Sequence, residues 1–393
     1  MKKVILYVLL CYLQIVNAQI KDDTAYLQGE INKLSDGGMF NGKGKTFNVT
    51  SIWLKSNISI KNFKLVSIPT KSSDVSVICI GNDLSTNSYN KKKEAIIAYK
   101  NSANKQLRIK NISIENISID GNRINHPFNS MRDGGKHGIS IKGFVSNIII
   151  RNVLIQNCVT DGISIYRGLH TSLDTDNKEL FAANNITLDN VISENNGRHG
   201  GSGDSIKGFI SKNCKFRNNG KDFIKGDKIS KGWYYNKKQY GNGWDMEGYG
   251  LGSGLQNIEF NNSEFVDNVG AGLVFYDTVD SRSRGFVQRE NLKILNCIID
   301  SGIANPSGEF AFIISGTIDF KNCQSIYNNI QIRNTNLYGR FLCRSCGLIT
   351  VENTSFLSDS PNKLLLDNVE KIQIKCEILP QIEKNKVKTI EKL

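Results

Sequence analysis

The sequence is poor in several residue types and in long apolar runs. Its 393 residues hold 5 prolines, 4 methionines, 4 histidines and 3 tryptophans. Beyond its first residues, no stretch approaches the roughly 18 consecutive apolar residues that a membrane helix needs. Leucine does not recur at the spacing of leucine-rich repeats, which excludes that solenoid. Cys343 and Cys346 form a single CxxC with no second pair, so a local disulfide or free thiols stand ahead of zinc. The Asp174-Thr-Asp176 run lacks the glycine and distal glutamate of a calcium loop and reads as solvated. Acid is also short: 37 Asp and Glu against 50 Lys and Arg give a formal net charge of +13. Such a balance favours polyanionic partners.

The first 18 residues read as a secretory leader. Lys2 and Lys3 precede an apolar run from Val4 to Leu13, and Val16-Asn17-Ala18 has the small residues of a cleavage site. A secreted or periplasmic location follows as the expectation. Losing two lysines with the leader takes the charge from +13 to about +11.

What the chain has in quantity is repetition. Short alternating strands followed by Asn recur with Asn at 116, 152, 190, 213, 262, 296, 322, 353 and 368. Periods of this size built on short strands indicate a solenoid. Ile- and Val-rich strands with Asn at the turns suit a parallel β-helix, in which like residues stack coil upon coil about 4.8 Å apart. Asn tolerates left-handed backbone and can bond its counterpart on the next coil. The Asn-Cys phrases at Cys158, Cys214, Cys297 and Cys323 then read as stacked, buried thiols. The seven N-x-S/T matches follow from the repeat phrase and are weak glycosylation signals. DDTAYLQGEINKLSDGG, from Asp22, reads as an Asp-capped amphipathic helix with Leu27, Ile31 and Leu34 on one face. The expected organisation is a leader at 1–18, a capping helix at 19–39, an all-β parallel β-helix at 40–380 and a basic tail at 381–393.

DDTAYLQGEINKL, then GKGKTFNVTSIWLKSNISIKNFKL, then Asn-rich coils: this order resembles the pectate-lyase-like right-handed β-helix superfamily. That group includes pectate lyases, polygalacturonase-type glycosidases, alginate epimerases and phage tailspike depolymerases. The resemblance implies a right-handed parallel β-helix over nearly the whole chain after the leader. Because the superfamily shares a scaffold and not one active site, the chemistry has to come from the residues.

The repeated SIKGF at 140–144 and 205–209 offers a register. With GISIKG, GISIYRG, DSIKG, WDMEG and GLVFYD aligned, one outward column reads Lys142, Tyr166, Lys207, Glu247, Tyr276, and a second reads Ser140, Ser164, Ser205, Asp245, Val274. Asp161 and Asp204 stand at the preceding turn. The catalytic candidates are therefore Lys207, Asp245, Glu247, Asp204 and Asp161. The substrate-binding candidates are Lys142, Tyr166, Arg167, Tyr276, His137, His199, Trp233, Tyr234 and Trp244. The last group includes the basic-aromatic insertion at 220–243, whose rings suit sugar faces and whose lysines suit uronate or sulfate. The same composition suits single-stranded nucleic acid, but an exported chain argues against nucleic acid as partner.

Three mechanisms compete. The polygalacturonase-type phrases are matched in type by VTDG at 159–162 and SGDS at 202–205. The chain departs from them where Ser205 replaces a second Asp, where RHGG precedes the GDS phrase, and where its Arg-Ile-Lys lies upstream at 108–110. Elimination or C-5 epimerisation on a polyuronide needs a neutralised carboxylate and a base. Lys207 is the expected base, and calcium is the cofactor this chemistry admits. The leading expectation is a secreted lyase or epimerase acting on an acidic polysaccharide. The alternatives are a hydrolase using Asp carboxylates and a glycan-binding surface protein without catalysis.

Overall fold

Each coil turns its corners on residues in the left-handed region. Asn62, Asn116, Asn152, Asn190, Asn213, Asn262, Asn296 and Asn353 hold one corner at φ between 46° and 61°. Asn57, Asn111, Asn147, Asn185, Asn257 and Asn291 hold a second, and Asn157, Asn195, Asn218 and Asp267 a third. L-residues with a branched or bulky side chain resist this conformation, whereas Asn accepts it. Its side chain is then used: Asn116 donates to Asn62 at 3.1 Å, Asn152 to Asn116 at 3.0 Å and Asn190 to Asn152 at 2.8 Å. The corner also resets the alternation of the strand. In Ile109–Asp120, Ile112 and Ile114 point inward before Asn116, and Ile117 and Ile119 after it.

Strands bent this way stack in parallel on their counterparts one coil away, forming, among the described residues, a long sheet of 18 strands and a short sheet of 11. The result is the expected right-handed parallel β-helix. The computed structural model describes residues 20–70, 76–81, 109–126, 136–142, 145–166, 183–204, 206–220, 241–248, 255–277, 289–300, 318–321, 330–333, 336–337, 341–344, 348–356, 363–367, 369, 371–376 and 381–392. The central part of the short sheet runs through Ile78–Gly81, Ile139–Lys142, Ile163–Tyr166, Gly201–Gly203, Trp244–Gly248 and Leu273–Asp277.

One helix, α1 (Thr24–Lys33), closes the first coil by burying Leu27 and Ile31 completely, with Leu34 packed at the edge of the core. Asp23 precedes it but makes no side-chain cap bond. Its carboxylate accepts the Asn48 N–H at 3.1 Å, tying the helix to the coil it covers. At the other end the expected tail is part of the coil. Gln381–Asn385 pairs with Lys363–Asp367 and Thr389–Lys392 with Lys371–Lys375.

Two expectations about register are corrected. The second SIKGF is four residues out of phase with the first: Ile141 lies in the short sheet, whereas Ile206 opens a strand of the long sheet and shares the position of Val145. The cysteines are free and buried at 79, 158, 214 and 297, but they do not form one stack. The Cys158 N–H bonds Asn196 Oδ1, in the column that continues through Asn219 and Asn268. Cys214 and Cys297 share another corner, with Ser263 between them. Cys323 lies outside the described residues.

The widest part of the core is aromatic. Trp244 is fully buried, its ring centroid 5.0 Å from those of both Phe209 and Phe216. Gly201, paired with Trp244 on the neighbouring coil, makes the room, since a Cβ there would lie 2.1 Å from the indole. Gly201→Ala is therefore expected to cost about 1–3 kcal/mol by overpacking. In urea denaturation its effect should be non-additive with Trp244→Leu by more than about 0.5 kcal/mol; additive effects would refute the contact. Burial also pushes the thiols of Cys214 and Cys297 up to about 11 and about 12. A thiol reagent should reach Cys79, Cys158, Cys214 and Cys297 only after unfolding, and fast labelling of the native chain would contradict this packing.

Candidate functional site

Each central coil enters the short sheet through the same two-residue step, a polar or small residue followed by glycine: His137-Gly138, Asp161-Gly162, His199-Gly200, Asn242-Gly243 and Ala271-Gly272. Their backbones are in register, Gly138 N–H bonding Asp161 O, Gly162 bonding His199 O, Gly200 bonding Asn242 O and Gly243 bonding Ala271 O. The glycines are steric necessities. A Cβ at Gly162 would sit 1.9 Å from Ser193 Oγ, and one at Gly243 would sit 2.5 Å from Gly272 O. The residues before them form a stripe of His137, Asp161, His199 and Asn242, all buried. Beside it, Ser140, Ser164, Ser202 and Asp245 occupy one column of the sheet, alternating with inward Ile, Gly, Trp and Met. They point away from the core and are nevertheless withdrawn from solvent.

Asp161 is the centre of this cluster. Arg198 grips it with two nitrogens, Nε to Oδ1 and Nη2 to Oδ2, each at 2.6 Å. Oδ1 also accepts the His199 N–H at 3.2 Å, and Oδ2 accepts the Ser202 hydroxyl at 2.7 Å. Because the Ser202 proton is committed to the carboxylate, Ser164 is the donor in the 2.9 Å contact between the two hydroxyls. Burial by itself would raise the Asp161 carboxyl, but the Arg198 guanidinium outweighs it and holds the group well below the usual range.

The two histidines repeat one arrangement. His137 Nδ1 accepts the Asp161 N–H at 3.4 Å, with Thr160 Oγ1 at 3.0 Å. His199 Nδ1 accepts the Asn242 N–H at 3.0 Å. A nitrogen that accepts carries no proton, so both rings are neutral with the proton on Nε2. The 3.5 Å approach of His137 Nδ1 to Asp161 Oδ2 is accordingly not an ion pair. His199 Nε2 lies 3.2 Å from Asp245 Oδ2, which also receives the Asn242 side-chain amide at 3.2 Å. Burial pulls His199 down to about 3, with Arg198 and His137 adding to the effect and Asp161 opposing it.

The structure brings Asp161, His137, His199 and Asp245 together. It replaces Lys207 in the other column. Tyr166 pairs with Lys142, and the register continues from Ile165, Gly203 and Met246 so that Asp204 falls between Tyr166 and Glu247, with Tyr276 beyond. Lys207 is exposed on the long sheet, opposite Asn184 and Gln256. Trp244 is a second correction. Alternation that sends Asp245 outward sends its neighbour into the core, so it offers no ring to a sugar. Arg167, Trp233 and Tyr234 lie outside the described residues, and Glu247 and Tyr276 are placed by backbone register alone. Arg198, Ser202 and Asn242 were not anticipated. The signal for Arg198 was RHGG itself, whose arginine precedes the stripe histidine; the x-Gly step held the signal for Asn242.

Among the described residues, no group of three or more His, Cys, Asp and Glu side chains is arranged to hold a metal ion. The donors do not fit calcium at Asp161, whose oxygens are already occupied by Arg198, Ser202 and a backbone N–H.

No protein-family signature and no curated protein sequence matches the chain. Solved structures do. The pre-mature form of gene product 12 of bacteriophage phi29 is similar at 13% identity and a TM-score of 0.62 over 92% of this chain, which spans 43% of that protein. A mannuronan C-5 epimerase module of Azotobacter vinelandii has 10% identity and a TM-score of 0.49, over 94% of this chain and 96% of its own. A capsular polysaccharide depolymerase tailspike of an Acinetobacter baumannii bacteriophage has 11% identity and a TM-score of 0.49, over 94% of this chain and 61% of its own. At these identities the likeness is one of fold.

The buried neutral imidazoles make stability pH-dependent. His126 is held down to about 4 and His199 to about 3, against an ordinary 6.5. Below about pH 6.5 the unfolded chain takes up protons that the folded chain refuses, so their contribution is complete above that pH and is lost as pH falls toward the folded values. Asp161 adds to the loss only below about pH 3.9, where the unfolded carboxyl protonates. The urea midpoint should fall steadily from pH 7 to pH 4, and less steeply in His199→Gln. A midpoint constant over that range would refute the burial of neutral rings.

Proposed function

We propose that the outer face of the short sheet is the site of a carbohydrate-active enzyme that cleaves an acidic polysaccharide, with Asp245 and Asp204 as its working carboxylates. The observation that carries this reading is their relative placement. Asp204 and Asp245 are diagonal neighbours on adjacent coils, both buried and both on the outward face. Their backbones lie about 8 Å apart, from a strand spacing of about 4.8 Å and a rise of about 3.3 Å per residue. Inverting glycosidases keep roughly 6.5–9.5 Å between the carboxyl that protonates the leaving oxygen and the one that activates water.

The surroundings support the assignment of roles. Asp245 Oδ2 accepts from two neutral donors, His199 and Asn242, which orient the carboxylate. Lys142 and Tyr166 stand in the column that leads to Asp204, a cation and a phenol suited to a uronate and its hydroxyls. The formal charge of +13 draws a polyanion to the surface. Elimination, the leading expectation from the sequence, becomes the second reading, supported by Tyr166 and Lys142, bases of the kind that removes a proton next to a uronate carboxyl.

The test is turnover on polygalacturonate, alginate, glycosaminoglycan and neutral glycans, with and without calcium. New reducing ends without unsaturated uronate support hydrolysis, and ultraviolet absorbance of an unsaturated product identifies a lyase. Asp245→Asn and Asp204→Asn should each lower kcat by about 10²–10⁴ while leaving the urea midpoint near the wild-type value. Binding across the panel without turnover would sink the enzymatic reading.

A further inference from the structure

Asp161 has the sequence context of a catalytic carboxylate, but its bonding points to another role. Its two oxygens accept four donors: two Arg198 nitrogens, the Ser202 hydroxyl and the His199 N–H. A group that exchanges a proton with substrate needs a lone pair directed at it, and these lone pairs are directed into the protein. Three of the four donors come from the consecutive residues Arg198 and His199. The Asp161 carboxylate holds the guanidinium of the one and the backbone N–H of the other, so the peptide joining them is clamped at two points. The imidazole that leaves this peptide is fixed in turn by the Asn242 N–H on Nδ1, with Nε2 at 3.2 Å from Asp245.

We infer that Asp161 and Arg198 form a positioning pair, which holds the His199 ring in one tautomer with its Nε2 proton aimed at Asp245. The charged and titratable groups facing His199 in this account are Asp161 and Arg198, His137 one coil further on, and Asp245. Asp161 takes no part in proton transfer. The inference refines the reading of Asp245 as a working carboxylate, yet it concerns the state of a ring that is observable without any substrate.

Four histidines make the ring nitrogens accessible to ¹⁵N NMR of the full chain, with His199→Gln assigning the signal. In the wild type, His199 should show an unprotonated Nδ1 and a protonated Nε2, and should not titrate between about pH 5 and 8. In Asp161→Asn the clamp loses its charge, and His199 should populate both tautomers. If a glycan is turned over, kcat should drop about a hundredfold through misplacement, with a displaced pH profile. Removing one partner of a buried ion pair can unfold a chain, whereas neutralising both is better tolerated, so Asp161→Asn/Arg198→Gln provides the same readout in a folded protein. A His199 signal unchanged in whichever variant folds would overturn the inference. Absence of turnover on every glycan would overturn the enzymatic reading while leaving this test intact.

Discussion

The structure depends on a backbone constraint: each coil must return to the same place one strand spacing higher, and it does so by placing a residue in the left-handed conformation at each corner. Asn is the residue that adopts this conformation at low cost and then uses its amide on the coil beside it. Where the corner is kept, the alternation of inward and outward residues is the same on every coil. The aliphatic columns, the ladders and the parallel pairing all follow. Few prolines fit such a stack, because a proline at a ladder position would remove the N–H that joins its coil to a neighbour.

A regular stack also decides how much polarity can be buried. The x-Gly step at the mouth of the short sheet lets a polar side chain stand at one corner of each coil while glycine keeps the inward side clear. Asp161 is tolerated there because Arg198 supplies a matching charge through two nitrogens. The imidazoles are tolerated because each is neutral and has its Nδ1 satisfied by a backbone N–H. A charged ring in either place would face Arg198 across a low-dielectric gap.

The same stacking turns sequence-distant residues into a surface. Ser164, Ser202 and Asp245 come from three coils of unequal length and still fall in one column. Coil length is therefore free to vary without moving the groups that face outward, and this separation of scaffold from site is what the parallel β-helix offers to chemistry. The carboxylates on this face have different surroundings: Asp161, in the stripe beside the column, is neutralised by a guanidinium, and Asp245, in the column, accepts from His199 and Asn242. Difference in environment, more than residue type, divides acid–base work from positioning.

The sequence by itself determined the parallel β-helix, because the Asn corners and the aliphatic alternation are local requirements and leave a periodic trace. It also determined the capping helix over Leu27 and Ile31, and the burial of Cys158, Cys214 and Cys297. It placed Asp161, His137, His199 and Asp245 near one another, since these belong to the steps that begin each coil. Register was decided only by the tertiary structure. The two copies of SIKGF are alike in letters and differ in place by four residues: the first lies in a strand of the short sheet, and the second opens a strand of the long sheet. That shift moved Lys207 out of the column and Asp204 into it, and the inward turn of Trp244 followed from the same pairing. The Arg198–Asp161 bond was equally out of reach of the sequence. It joins residues on adjacent coils, and its existence rests on which side chains the stack brings within 3 Å, a three-dimensional fact that no spacing along the chain encodes.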